Sequence, residues 1–65
     1  MKIEYDREAD ALYLTLLDKK VKETKRLSED ILIDLGEKGE VIGIEILWVS
    51  EKIPLDSIKK VEVKV

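Results

Sequence analysis

The chain has no cysteine and no histidine. Without cysteine no disulfide can staple its 65 residues, and without either residue type the sulfur and imidazole ligands that zinc prefers are missing. The same absences remove the usual nucleophile and base of covalent catalysis, so neither an enzyme nor a cofactor is expected. Asparagine and glutamine are missing too, while lysine and glutamate abound. Heat-adapted compositions move in that direction, and a thermophilic source is expected. No apolar run approaches the roughly 18 residues of a membrane span and no signal peptide opens the chain, which points to a cytoplasmic protein. Charge of a single sign is lacking as well: twelve basic and fifteen acidic residues are interspersed, for a net charge of −3. The longest basic clusters are the pairs Lys19-Lys20 and Lys59-Lys60, whereas a nucleic-acid binder carries a one-signed stripe. Neither nucleic acid nor a membrane is expected as a partner.

What is present is 45% hydrophobic and 42% charged sequence, read as one small domain over residues 1–65. A fold of this length buries only about 60% of the surface its unfolded chain exposes. With disulfides and zinc set aside, the missing stability has to come from self-association or from very regular local structure.

Period-two alternation dominates, on β-branched and aromatic residues. Strands are expected at Lys2 to Asp6, Ala11 to Leu17, Val21 to Leu27, Ile31 to Leu35 and Val41 to Trp48. Setting Tyr5 opposite Leu12 and Ile3 opposite Leu14 puts the large aliphatics on one face, and a slip of one residue would mix the faces. The charged Val21 to Leu27 segment suits a sheet edge, where lysine discourages pairing with another chain. Gly36 to Gly39 reads as a hairpin; pairing Leu35 with Glu40 then sets Ile33 opposite Ile42 and Ile31 opposite Ile44. Pro54 suits the first turn of a helix, giving one short helical turn near residues 54–59 with Leu55 and Ile58 toward the sheet. Val61, Val63 and Val65 alternate with Glu62 and Lys64 as a final strand or an extended tail. The fold class is mainly β, with α+β as the alternative: a small curled antiparallel sheet of about five strands.

The candidate chemistry is carboxylate chemistry. Asp6, Glu8 and Asp10 have the spacing of the first three ligands of a calcium loop, but the same count puts Ala11 where that loop needs glycine and Leu17 where it needs a bidentate glutamate. The simpler reading is that Asp6 and Asp10 cap a tight turn through backbone N–H groups. Glu45, between Ile44 and Ile46, could have a raised pKa in apolar surroundings, though alternation places it on the outer face beside a basic residue. Gly43 interrupts the best strand and marks a bend or a close approach by other backbone. Ile42, Ile44, Ile46 and Trp48 form the candidate interface, since one sheet with one helical turn leaves an apolar face open and such patches mark association sites.

The stretch "YDREADALYL", with Tyr5, Asp6, Glu8, Ala9, Asp10, Ala11, Leu12 and Tyr13, and the stretch "GEVIGIEIL", with Gly39, Val41, Ile42, Gly43, Ile44, Glu45, Ile46 and Leu47, together resemble a family of short prokaryotic domains of unknown function. Trp48 stands where that family commonly has a polar residue. The resemblance carries no assigned activity; it implies a freestanding small protein and, since relatives lie beside other short genes of toxin-like or unknown type, a paired role. The expected function is therefore a protein-protein interaction module, a homodimer or one half of a two-protein, toxin-antitoxin-like system. The alternative is a small-molecule or divalent-cation binding protein using Asp6, Asp10 and Glu45.

Overall fold

The computed structural model describes residues 1–65. Its strands are β1 (Lys2–Asp6), β2 (Ala11–Thr15), β3 (Glu23–Arg26), β4 (Ile31–Leu35) and β5 (Val41–Leu47), followed by a 3₁₀ turn at Val49–Glu51 and a single helical turn, α1, at Leu55–Ile58. The strands form one five-stranded sheet in the order β1-β2-β5-β4-β3, and every pairing is antiparallel. Thus a β1–β2 hairpin docks against a β3–β4–β5 meander along β5. The charged β3 lies at an edge, and all four of its residues are exposed.

Local chemistry makes both tight connections. Asp6 Oδ1 accepts the backbone N–H groups of Glu8 at 3.0 Å and Ala9 at 3.2 Å, which satisfies donors in the β1–β2 turn as Asx residues commonly do. In the β4–β5 hairpin the Gly36 N–H donates to Glu40 O at 2.9 Å and the Gly39 N–H to Gly36 O at 3.1 Å. Gly39 takes φ +79°, a left-handed conformation that glycine adopts without steric cost.

The β1–β2 register is the expected one, with Tyr5 opposite Leu12 and Ile3 opposite Leu14. The β4–β5 register differs: Ile33 lies opposite Ile44, Ile31 opposite Ile46 and Leu35 opposite Val41, with an irregularity between Asp34 and Leu35. Each isoleucine pair is displaced by two residues from the expected one. An even displacement keeps every side chain on its own face, so the faces survive although the pairs change.

Strand ends also move inward. β2 stops at Thr15 because the amides of Leu16 and Leu17 both donate to Ile42 O, at 2.8 and 3.1 Å, which breaks the one-to-one ladder. β5 stops at Leu47 because Trp48 takes φ 50°. Val61, Val63 and Val65 form no strand and stay exposed.

The core is small. Ala11, Ile42 and Val49 are the buried hydrophobic residues, and Val49 alone is fully enclosed. The main contacts between elements are strand to strand; in and beside α1, Ile53 and Ile58 are half-buried while Leu55 keeps 37% of its surface exposed. The molecule is consequently a slab of 35 × 30 × 18 Å. Its radius of gyration is 12.4 Å, where a compact chain of this length has about 10.7 Å. No helix is long and apolar enough to cross a membrane.

Candidate functional site

The strand registers sort the side chains onto two unlike faces. On one face Leu14, Ile44 and Ile33 lie side by side across β2, β5 and β4, with Leu12, Ile46 and Ile31 as the adjacent row. β1 extends these rows with Ile3 and Tyr5. All six central aliphatics are half-buried although β5 is the middle strand, and Ile3 keeps 38% of its surface exposed. In a two-layer domain such positions would be fully buried; here burial is all but complete only near the rim, at Ile42 and Val49.

The opposite face is braced by polar contacts. The Tyr13 hydroxyl on β2 donates to the Asp34 carboxylate on β4, passing across β5. It can do so because β5 has Gly43 at the crossing: a Cβ there would sit 2.5 Å from the Tyr13 hydroxyl oxygen. Thr24 Oγ1 on β3 donates to the other Asp34 oxygen at 2.6 Å, so three side chains span four strands. The bond to Asp34, then burial, pushes the Tyr13 hydroxyl up to about 12. Sequence reasoning missed this brace. Its one visible sign was a glycine inside an otherwise β-branched strand, and the close approach it permits comes from a neighbouring aromatic ring.

The third constellation surrounds Asp10. Its carboxylate accepts the Tyr5 hydroxyl at 2.7 Å, the Ser50 amide at 3.0 Å and the Ser50 hydroxyl at 2.7 Å, while its carbonyl accepts the Val49 N–H at 3.0 Å. Asp10 and Trp48 both have positive φ, 51° and 50°, so two left-handed residues meet where the β1–β2 turn clasps the end of β5. The Tyr5 bond, followed by the Ser50 bonds, holds the Asp10 carboxyl below its ordinary value. The same Asp10 contact, with burial second, raises the Tyr5 hydroxyl.

Asp6 and Glu45 border one shallow hollow of about 310 Å³ together with Glu4 and Tyr13, and Asp10 lies outside its lining. Asp6 serves the turn and Asp10 the clasp. No group of three or more carboxylates converges in a way that could hold a metal ion. Of the apolar candidates, Ile42 is buried, Ile44 and Ile46 are half-buried, and Trp48 is 49% exposed. Lys52 stands 5.9 Å from the Trp48 ring centroid and pairs with Asp30 at 2.9 Å, so the tryptophan is flanked by charge. Ile44 and Ile46 belong to the partly buried rows across β2, β5 and β4, and Trp48 lies beyond the end of β5.

Residues 2–50 match the model of a family described as protein of unknown function, DUF2283. The chain is also similar to uncharacterized protein MJ0789 of Methanocaldococcus jannaschii, with 46% identity over 56 residues that make up 86% of this chain and 47% of that protein. The chain therefore spans about half the length of the curated relative it matches. No solved structure matches it.

Proposed function

The chain belongs to the DUF2283 family, and for this member of it we propose a protein-protein interaction module that works through the Leu/Ile face of its sheet. One observation carries the reading: six aliphatic side chains lie in two adjacent rows on the three inner strands and are only partly buried. A contiguous apolar patch of this kind marks an association site. The partner is a protein chain that presents an apolar surface of its own, and a second small protein in a toxin-antitoxin-like pair is one form it takes. Binding, with no chemistry, fits the polar groups as well, since Tyr13, Thr24, Asp34 and Asp10 are engaged with neighbouring groups of the fold. We place the module in the cytoplasm of a heat-adapted cell; the lysine- and glutamate-rich composition without asparagine or glutamine and the relative from a thermophilic archaeon support the heat adaptation.

The test is gel filtration with light scattering, on the protein alone and co-expressed with the products of neighbouring genes. The wild-type chain should travel in a complex, and Ile44→Glu should travel alone while circular dichroism still reports a sheet. A chain that is monomeric in every setting, or an Ile44→Glu variant that stays in its complex, rejects the reading.

A further inference from the structure

We propose that the occupant of the Leu/Ile face is a second copy of this chain, stacked face to face so that two single-layer sheets become one sandwich. The inference rests on the interaction reading above and names its partner.

The first argument is constitutive need. Ala11, Ile42 and Val49 alone give the isolated sheet almost no interior, and a domain near this length needs an added source of stability. Cysteine is absent and no metal-holding cluster is present. The cover must then be available whenever the chain is, in equal amount, and a copy of the chain meets that condition by itself.

Area supplies the second argument. The chain exposes 5306 Å², whereas a compact monomer of 7.5 kDa exposes about 4,200 Å². The exposed Val61–Val65 segment accounts for part of the surplus, Met1, Leu27 and Trp48 for more of it, and the partly buried Leu/Ile rows contribute as well. A standard interface buries about 800 Å² per partner; the whole surplus is of that order, and a stacked pair would cover the part of it that lies on the sheet face.

Complementarity is the third. In a two-fold contact the same patch faces itself, and here the patch centre is uncharged aliphatic on β2, β5 and β4. Two such faces pack about 10 Å apart, with side chains interdigitating. The charged ladder residues on this side, Glu23 and Lys25, belong to the edge strand β3 and carry opposite signs. The Tyr5 hydroxyl is already bonded to Asp10. Stacking therefore carries no unpaired charge into the middle. Association through the edges is less favourable: β3 is wholly exposed and rich in charge, which discourages strand addition. Antiparallel self-pairing of β1 about its middle residue would set Glu4 against Glu4 of the copy, a like-charge pair.

Light scattering on the purified chain at tens of micromolar, the range in which weak dimers assemble, should give twice the 7.5 kDa chain mass, and Ile44→Glu should halve it. Should that variant fail to fold, a mixed sample of isotope-labelled and unlabelled wild-type chain serves instead. Filtered NOE spectra should show contacts between the methyl groups of Ile31, Ile33, Ile44 and Ile46 in different copies. A monomer overturns the proposal, as does a dimer whose intermolecular contacts run along β1 or β3. A chain that is monomeric alone but holds a co-expressed companion on the Leu/Ile face overturns this inference and leaves the interaction reading standing. A monomer in both settings defeats both.

Discussion

Gly43 shows how much can depend on one missing Cβ. Glycine inside a strand costs conformational entropy and packs nothing, yet this one is buried on the central strand with the Tyr13 hydroxyl and the Leu14 carbonyl against it. An added methyl would stand 2.5 Å from the Tyr13 hydroxyl oxygen and 3.0 Å from the Leu14 carbonyl oxygen. The first neighbour can swing aside only by leaving Asp34, and the second is backbone. Gly43→Ala should therefore lose about 1–3 kcal/mol, the usual cost of overpacking, measured by urea unfolding. Tyr13→Ala with Gly43→Ala should cost less than the sum of the single changes, since removing the ring removes the larger collision. Strict additivity would show that the ring and the glycine are uncoupled.

Among the elements, the clasp at Asp10 joins parts that the ladder leaves unconnected. The β1–β2 turn and the residues after β5 are forty positions apart and meet through one carboxylate. The folded Asp10 carboxyl lies below its ordinary value, so the unfolded chain binds the proton more readily. The stabilisation is then fully present above the unfolded value of about 3.9 and is lost as pH falls through the folded one. Asp10→Asn does not titrate, and asparagine tolerates the left-handed backbone of this position. Urea midpoints taken from neutral to acid pH should fall less steeply for Asp10→Asn than for wild type, and the gap between the two proteins should narrow toward acid; parallel curves would assign the clasp no electrostatic part. The turn-capping role of Asp6 was legible beforehand because it is local, two and three residues along the chain. The binding of Asp10 to Ser50 was not, because nothing in the sequence announces which distant donor a free carboxylate will meet. Trp48 is a similar case. Its alternation with Ile42, Ile44 and Ile46 reads as strand, but Trp48 takes a left-handed φ, the Val49 N–H donates to Asp10 O and the Glu51 N–H to Trp48 O, and the tryptophan leaves the ladder.

For the molecule entire, the ratio of surface to interior is the governing quantity. A slab 18 Å thick with few buried side chains has little interior of its own, and under the proposed pairing its stability is tied to its concentration by mass action. Raising the protein concentration about a hundredfold should lift the thermal unfolding midpoint by several degrees if two copies share that face. A midpoint independent of concentration would mark the chain as self-sufficient. Strand number, the β1–β2 register, the membership of the two faces and the impossibility of a disulfide were all determined by the linear sequence. They follow from period-two alternation and from which residue types are absent, and both are local or compositional facts. The strand order β1-β2-β5-β4-β3, the two-residue displacement between β4 and β5, the Tyr13 crossing over Gly43 and the incomplete burial of the Leu/Ile rows were decided by tertiary assembly. Each depends on contacts between residues far apart in the chain, and alternation sorts side chains onto faces without saying which strand stands beside which, or what, if anything, lies on top.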